Sequence, residues 1–538
     1  MRSVKRAVSL LLAALLVFLT ACGGETLSDG TGQAETGRYL TFVDEEPDTV
    51  DPQRTSEYYT VALNVFDRLV EVEVNDNGST EIRPSLAESW EISDDGCTYT
   101  FFLHQGVKFS NGALLTASDV LYTFTRLLSL PDAASTDIAA DIAGAAEFQA
   151  GRTQTLEGFH LLDDYTFSIT MNQPYAAFLA CLSTPGASIL DEETTREAGN
   201  LFGQSPEHTI GTGPFLFTSW TPGTELVLSA NRECWSGRPR CDGLRVLFVS
   251  DPEAQRLLFE DGTLDILDLD NMGVEAEYFI NGNQEQTIHG PRVGISYIAL
   301  NQSIPPLDDL RVRRALQYGL DRQILLNAVF SGRGAVEHGI FPRGLIGHNA
   351  DLLPIPYAPE EAARLLEEAG LSDGFNLEIA ASDSSTVAMR ELLELTASMW
   401  ARLGVRANVV YLPEEEWLAR RKSASLARYS STWSADFNDP DNFIYTFFGT
   451  RENTNGRSLC YPDEAVMKRV RDARAVTDSG ERISTYQALE RIIVQEDAAW
   501  IPLFSKEHYF ALSNRVSGFQ VSWNGWSNNR YRNVSVTE

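Results

Sequence analysis

One short segment of the chain brings together a tryptophan, an isolated acid and a turn. Residues 433–440 read Trp-Ser-Ala-Asp-Phe-Asn-Asp-Pro, and Trp417 lies upstream. Aromatic and acidic side chains placed together in this way are candidates for a binding site. The alternative is structural: a strand ends in an Asn-Asp-Pro turn, and Asp436 or Asp439 caps the next helix. The pattern alone favours the structural alternative.

The sequence contains none of the motifs that mark common enzyme classes. It lacks a G-x-S-x-G elbow, an H-E-x-x-H helix, a G-x-x-x-x-G-K-[ST] loop and a G-x-G-x-x-G turn. Its seven histidines are scattered without the spacing of metal ligands. Acid pairs such as Glu45-Glu46 are common in so acidic a chain, and nothing places two of them across a sugar. We therefore predict no catalytic residue, no metal and no cofactor, with an exported hydrolase as an open alternative.

The N-terminus has the composition of an export signal that stops at a cysteine. A basic start precedes the apolar run 7–18, which spans only about 18 Å as a helix. The sequence Leu19-Thr-Ala-Cys22 resembles the lipobox of bacterial lipoproteins, in which the cysteine carries lipid. We predict a signal peptide over 1–21, lipidation of Cys22 and a flexible tether over 22–37. An ordinary signal followed by a chance cysteine is the alternative.

The net charge of the chain excludes a further class of function, and its length predicts the number of domains. The formal net charge is −32, and the acidic residues are spread along the chain. Nucleic acid is excluded as a partner, because its phosphates need Lys and Arg. A chain of 538 residues is too long for one hydrophobic core, which predicts two or three domains. Together with the signal, these features predict an extracytoplasmic protein that lipid anchors to the outer face of the cell membrane.

Cysteine spacing indicates one disulfide. Five cysteines follow Cys22, namely Cys97, Cys181, Cys234, Cys241 and Cys460. Cys234 and Cys241 flank a Gly/Pro turn, which suits a hairpin disulfide better than zinc. Whether Cys97 and Cys181 pair stays open, and Cys460 is then left as a free thiol.

The two halves of the chain differ in their predicted elements. The first half is rich in β-branched and aromatic runs bounded by turns, and is therefore strand-rich. In the second half strands alternate with helices, including a long helix over Leu310–Phe330 that Asp308 can cap. Phe375–Ala381 and Arg406–Tyr411 flank a helix in a parallel β-α-β unit, and a strand follows at Ile501–Phe504. Two lobes with a ligand cleft between them suit this layout.

Several segments, in order, resemble a known family. They include Pro84–Trp90 (PSLAESW), Gly106–Gly112 (GVKFSNG), Gly211–Phe215 (GTGPF), Arg311–Arg322 (RVRRALQYGLDR) and Ala499–Leu503 (AWIPL). They are similar to the extracellular solute-binding proteins of ABC importers, a family that includes the oligopeptide- and dipeptide-binding proteins. The likeness covers nearly all of residues 38–510.

The resemblance implies the fold and the domains. The family has an α/β, two-lobed periplasmic-binding-protein-like fold, with two crossing strands and an extra subdomain inserted in lobe I. The implied boundaries are 38–290 for lobe I, about 70–205 for its insert, 291–507 for lobe II, and 508–538 for the return to lobe I. Such lobes close over a ligand like a hinged trap.

The resemblance also implies a ligand site. In peptide-binding members the stretch that matches 433–440 pairs with the extended peptide as an added strand, and an aspartate holds the peptide's ammonium. The residues at the matching positions are Asp436 as the anchor, Trp433, Ser434 and Trp417 along the cleft, and Ser56, Glu57 and Tyr58 on a second edge. Ser430 stands where an oligopeptide binder has an arginine directed at the C-terminal carboxylate, with Arg428 nearby.

The implied function is capture of extracellular peptides by a lipid-anchored subunit that delivers them to the membrane permease of an ABC importer. The expected partners are peptide and permease, and the protein is expected to be a monomer. The same fold binding a nickel chelate, a sugar or an opine is the alternative.

Overall fold

The structure is a computed structural model that describes residues 38–55, 58–75, 80–270, 272, 275–282, 286–525 and 529–537. The predicted signal peptide, Cys22 and the tether lie outside these residues, as do Ser56 and Glu57. The chain from Arg38 onward forms one compact unit. Within the described part, no helix has both the length and the apolar character needed to cross a membrane.

Twenty strands are numbered in chain order. They are β1 Tyr39–Val43, β2 Val70–Val74, β3 Thr80–Pro84, β4 Ala87–Ile92, β5 Thr98–Leu103, β6 Phe159–Asp163, β7 Thr166–Thr170, β8 Phe215–Thr221, β9 Glu225–Ala230, β10 Gly243–Leu247, β11 Ile266–Asp268, β12 Thr287–Pro291, β13 Gly294–Leu300, β14 Gly334–Val336, β15 Phe375–Ser382, β16 Val405–Leu412, β17 Arg428–Ser434, β18 Trp500–Leu512, β19 Val516–Ser517 and β20 Ser535–Val536.

The α-helices fall in three groups along the chain. Those before β8 are Thr60–Val65, Ala117–Ser129, Asp137–Ala140, Ala145–Gln149, Phe178–Leu182 and Glu192–Ala198. Those between β10 and β15 are Pro252–Glu260, Glu275–Gly282, Leu310–Tyr318, Arg322–Phe330 and Pro359–Glu368. The rest are Val387–Ala401, Glu414–Lys422, Asp441–Phe448, Arg451–Gly456, Glu464–Ala473 and Ser479–Arg491.

A ten-stranded sheet runs through the molecule in the order β17-β13-β18-β11-β1-β10-β9-β8, with β12 and β14 also paired to β18. The long strand β18 pairs with β13 and β14 through its first half and with β12 and β11 through its second half. On one edge the partner changes from β13, opposite Phe504, to β12, opposite Glu507, and on the other edge from β14, opposite Lys506, to β11, opposite Phe510. The β12–β13 segment and β18 therefore connect the two halves of the sheet, and the predicted α/β class with crossing strands is confirmed.

Separate hydrophobic cores lie on the different parts of this frame. Residues between Leu69 and Ile189 surround a four-stranded antiparallel sheet, β4-β5-β7-β6, and form a core of their own. Two further cores pack on the two faces of β13 and β18. A fourth core lies among β1, β8, β9 and β10. Each region buries its own apolar surface, which accounts for a chain of this length.

The elements of the second half follow the sequence pattern with one error. The parallel pairing of β15 with β16 confirms the predicted β-α-β unit. The predicted helix Leu310–Phe330 is wrong, because the chain forms two helices of nine residues each. Gly319 ends the first, and the Asp321 side chain caps the second. The residue that caps the first helix is Asp309 rather than the predicted Asp308.

Candidate ligand-binding cleft

The strand β17 is the terminal strand of the main sheet and leads directly into the predicted site. It pairs with β13 along one edge, with Ser434 opposite Gly294 and Trp433 opposite Ile295. A Cβ at residue 294 would lie 2.9 Å from the carbonyl oxygen of Trp433, so the close approach of the two strands needs a glycine there. The last residues of β17 are half-buried or exposed. An edge strand of this kind can pair with an added extended chain.

One buried asparagine fixes the residues at the end of β17. The Asn442 side-chain oxygen accepts the backbone N–H of Asp436 at 3.0 Å and the indole N–H of Trp433 at 3.3 Å. Its amide nitrogen donates to the Asp436 carboxylate at 2.9 Å. Asn442 lies in the first turn of the helix Asp441–Phe448 and is 4 % exposed. The sequence analysis missed it, because its partners become visible only when strand and helix meet.

The Asp436 carboxylate lies in a concave surface with its charge not neutralised. Its side chain is exposed and lines a cavity of about 640 Å³ together with Asp67, Ser183 and Trp235 from the first half of the chain. Partial loss of water around the carboxylate raises the pKa of Asp436. This effect outweighs the hydrogen bond from Asn442, which lowers the pKa. Within the described ranges, no basic side chain lies within 4.0 Å of its oxygens. A cationic group of a solute would supply the missing partner.

The second acid of the same turn has a different environment. Asp439 is 5 % exposed and receives two hydrogen bonds from Arg482, both of 2.6 Å. It also accepts the backbone N–H of Asp441 at 2.8 Å, at the start of the next helix. The sequence analysis allowed either Asp436 or Asp439 to cap the next helix. In the structure Asp439 makes this contact. Asp436 makes no comparable contact with the backbone of that helix in the described structure.

Two tryptophans and two arginines lie beside this turn. Trp417, on the helix Glu414–Lys422, meets Tyr429 edge-on with ring centres 5.6 Å apart. Trp433 meets Phe447 in the same way at 5.5 Å. The guanidinium carbon of Arg421 lies 5.1 Å from the centre of the Trp417 ring, and that of Arg457 lies 4.6 Å from the centre of the Trp433 ring. The sequence analysis placed the tryptophans here and missed both arginines.

Comparison with known proteins identifies the family. Residues 81–455 match the sequence profile described as bacterial extracellular solute-binding proteins, family 5 middle. The chain belongs to this family. The match covers more than half of the 538 residues, and it confirms the family that the motif order indicated.

Named relatives of this solute-binding protein are similar over nearly their whole length. Heme-binding protein A of Haemophilus influenzae is 30% identical over 96% of this chain and 97% of its own. The dipeptide-binding protein of Escherichia coli is 28% identical over 89% of this chain and 90% of its own. The structure of HbpA2 from Haemophilus parasuis superposes with a TM-score of 0.79 at 26% identity, covering 93% of this chain and 100% of that one. This similarity confirms the two-lobed periplasmic-binding-protein fold.

The remaining predicted ligand residues lie elsewhere. Tyr58 precedes the helix Thr60–Val65 and donates a hydrogen bond from its hydroxyl to Glu45 at 3.0 Å. Arg428 is fully buried, bonds Ser430 at 3.0 Å and stacks on Trp400. Burial lowers the pKa of Arg428 to about 9. Arg428 therefore does not present its charge at the surface of the molecule.

The cysteines of this solute-binding protein differ from the prediction. Among the described residues all five are free thiols, so the structure does not contain the predicted Cys234–Cys241 disulfide. The two sulfurs have different surroundings: that of Cys234 lies 3.3 Å from the hydroxyl of Ser236, whereas Cys241 packs into the core around β10. Burial raises the pKa of the Cys241 thiol to about 11. Cys97 and Cys181 are likewise unpaired.

A group of metal-ligand types occurs where β18 changes partner. Asp268, Asp270 and His508 approach one another there. The His508 ring nitrogens lie 2.8 Å from the Asp268 carboxylate and 2.5 Å from the Gly525 carbonyl, so both face acceptors and both carry protons. Lys506 and Arg292 donate to Asp270 at 2.8 and 3.2 Å.

Protein cations already neutralise the two carboxylates of this group. Burial disfavours the imidazolium, but the two aspartates outweigh burial and raise the pKa of His508. Burial likewise favours the neutral acid, but His508 and Lys506 outweigh it and lower the pKa of Asp270. Three cations already face two carboxylates, and a divalent ion does not fit.

Proposed function

We propose that this solute-binding protein captures peptides outside the cytoplasmic membrane and delivers them to the permease of an ABC importer, without catalysing a reaction. The observation that carries the proposal is the Asp436 carboxylate, which lines a cleft, lies two residues beyond the sheet-edge strand β17 and has no basic partner in the described structure. Relatives named for dipeptide binding support the same ligand class.

The proposed binding mode uses strand addition. The free edge of β17 offers backbone groups to an extended peptide, and Asp436 holds the peptide's N-terminal ammonium. Ser434, Trp433 and Trp417 form the adjoining side of the cleft, and Ser56, Glu57 and Tyr58 form the opposite edge. Backbone pairing does not depend on side chains, so peptides of many sequences would bind.

The proposal extends to location and movement. A lipid on Cys22 anchors the protein to the outer face of the membrane, and the monomer acts with the membrane permease. Lobe I (38–290 with 508–538, insert about 70–205) and lobe II (291–507) close over the ligand. Replacement of Cys22 by serine is expected to release the protein from membranes or leave it unprocessed. Unchanged fractionation of Cys22→Ser would refute the anchor.

A calorimetric experiment on Asp436 tests the ligand class. Asp436→Asn keeps the shape and removes the charge. Closure of the cleft would bury the ion pair between Asp436 and the ligand, and a buried charge that loses its partner costs roughly 3–5 kcal/mol. Free di- and tripeptides should therefore bind the variant on the order of a hundredfold more weakly. N-acetylated peptides should bind the parent poorly and lose little more in the variant. Asp373→Asn, at an exposed position outside the cleft, is the matched control.

Two outcomes would contradict the proposal. Equal weakening of free and acetylated peptides by Asp436→Asn would make Asp436 a turn residue only. Native mass spectrometry of protein purified without refolding identifies the co-purified solute directly. A co-purified haem, sugar or metal chelate in place of peptides would select the alternative of a non-peptide solute, for which the relative named heme-binding protein A is the supporting observation.

A further inference from the structure

The turn after β17 enters the core of another part of the molecule. We call this part the β4–β7 subdomain; it comprises residues 69–189, whose apolar core surrounds the sheet β4-β5-β7-β6. The Phe437 side chain, which directly follows Asp436, is 8 % exposed and packs in that core. The next residue, Asn438, donates from its side-chain amide to the Thr80 hydroxyl at 2.7 Å. The second half of the chain therefore inserts a turn beside the cleft into a subdomain of the first half.

Arg474 makes a further contact with the same subdomain. Its guanidinium carbon lies 4.4 Å from the centre of the Tyr175 ring, and one nitrogen lies 3.5 Å from the Asp141 carboxylate. Its backbone carbonyl accepts the N–H of Ala176 at 3.0 Å. On its own side, Arg474 donates to the buried Asp441 at 3.1 Å. The side chain is therefore fixed in the second half of the chain and presented to the subdomain.

The approach is close enough at one place to need a glycine. A Cβ at residue 96 would lie 2.9 Å from the methyl carbon of Thr477, and Gly96 has a φ of +70°, which favours glycine. The segments of the second half that meet the subdomain therefore include 474–477 as well as 437–438.

The subdomain is bound more strongly to the first half of the chain. Arg126 of the subdomain donates to the fully buried Asp51 at 2.6 Å and to the Gln53 side chain at 2.6 Å. The Gln53 amide donates in turn to the Thr123 carbonyl at 2.9 Å. The contact of Arg474 with Asp141 is longer, and the Asp141 side chain is 36% exposed, so this pair is the weaker one. If the two halves move apart, the contacts with 437–438 and 474–477 are the ones that break.

We propose that Phe437, Asn438 and Arg474 form a clasp on the β4–β7 subdomain, which stabilises the closed cleft without contacting the solute. Phe437 and Arg474 are covered by protein groups and are not available to a solute. Contacts that form only in the closed arrangement shift the equilibrium toward it, and they change the affinity for every solute by the same factor. The inference rests on the lobe movement of the proposed function, but not on the class of solute.

The first test follows the Ala176 amide, whose partner lies across the clasp. Residue-resolved hydrogen exchange is measured on the mature protein without solute. Because Phe437→Ala removes apolar contacts and Tyr175→Leu removes the ring under Arg474, each should speed exchange at Ala176 about tenfold or more. Asp141→Asn should have a smaller effect, since its ion pair is partly exposed.

Two controls separate the clasp from the stability of the subdomain. The Leu103 amide, which donates to the Tyr165 carbonyl within the subdomain, should exchange at the parent rate in every variant. Asp164→Asn, at an exposed position in the turn between β6 and β7, should change neither amide. Unchanged exchange at Ala176 in all three clasp variants overturns the proposal. Equal acceleration at Leu103 also overturns it, because the contacts would then hold the subdomain together and not the cleft.

The second test measures affinity by calorimetry with two peptides of different charge, Ala-Ala-Ala and Ala-Glu-Ala. Asp141→Asn removes one exposed contact and should weaken both by the same factor, roughly twofold to tenfold. A factor that differs between the two peptides would show that the clasp residues touch the solute and would refute the proposal. If neither peptide binds the parent, the proposed function fails, and exchange at Ala176 alone decides the clasp.

Discussion

The turn after β17 has two groups of charged residues with opposite character. Asp439 and Asp441 are buried and bonded to Arg482 and Arg474 at distances of 2.6 and 3.1 Å. Asp436, only three residues before Asp439, faces a cleft with one asparagine as its hydrogen-bonding neighbour. The paired group holds the turn in place, and this allows the unpaired acid to stay accessible.

The paired group also ties distant parts of the chain together. Arg474 lies between the rings of Tyr175 and Tyr445, 4.4 and 4.0 Å from their centres. It reaches Asp141 at 3.5 Å, and its carbonyl accepts the backbone N–H of Ala176. The Arg474 charge is therefore neutralised from several sides, whereas the Asp436 carboxylate is supported by a neutral group, the amide of Asn442.

Breaking the paired group should have the largest effect on stability. Arg482→Met leaves Asp439 buried without its cation, which should lower the free energy of unfolding by roughly 3–5 kcal/mol. Urea unfolding followed by tryptophan fluorescence measures the loss. The variant Arg364→Gln should change the free energy of unfolding little, because the ion pairs of Arg364 are exposed to water. A loss for Arg482→Met no larger than that of Arg364→Gln would remove the distinction between the two groups.

The His508 group at the strand crossing should behave like the paired group and respond to pH. Because the pKa of His508 is raised on folding, its stabilisation is complete below the ordinary histidine value near 6.5 and disappears as pH rises through the folded value. His508→Gln should lower the free energy of unfolding at pH 6 by about 1.5–3 kcal/mol. The difference between parent and variant should shrink at pH 9. A difference that does not change between these pH values would show that His508 is neutral in the folded protein.

Removal of the Asp436 charge should have the smallest effect on the free energy of unfolding. Unlike the two changes above, it should increase that free energy. The pKa of Asp436 is raised on folding, so its ionised form destabilises the ligand-free protein. This cost is absent below the ordinary aspartate value near 4 and complete above the folded value. Asp436→Asn should therefore gain stability over the parent as pH rises from 4 to 7.5, measured by urea unfolding without peptide. A loss of stability at pH 7.5 would place Asp436 in the paired group.

Most of the correct predictions came from local residue patterns and from the order of the motifs. The incorrect predictions have physical causes. The spacing of apolar residues found the β15–β16 unit and the first part of β18. It missed the break at Gly319, because the helical period continues across it. The prediction also ended the last strand at Phe504, since Ser505–His508 is polar. These residues extend β18 because their side chains meet polar partners beside the strand: Ser505 meets Glu337, Lys506 meets Asp270 and His508 meets Asp268.

The residues of the candidate site also include some that the sequence predicted and some that it missed. Trp433 and Asp436 could be found from one contiguous segment. Asn442, Arg421 and Arg457 could not, because their significance depends on which side chains meet in space.

The continuity of β18 restricts how the two halves of the molecule can move. Along one edge of β18 the hydrogen bonds run from β13 to β12, and the Lys506 carbonyl accepts the backbone N–H of Arg292 between these two strands. Along the other edge β14 ends opposite Lys506 and β11 begins opposite Phe510. Rotation about this point must be absorbed as twist of an intact ladder. Amide hydrogens on both sides of the crossing should therefore exchange slowly with deuterium whether or not ligand is present, and protection that changes on closure should be confined to the cleft.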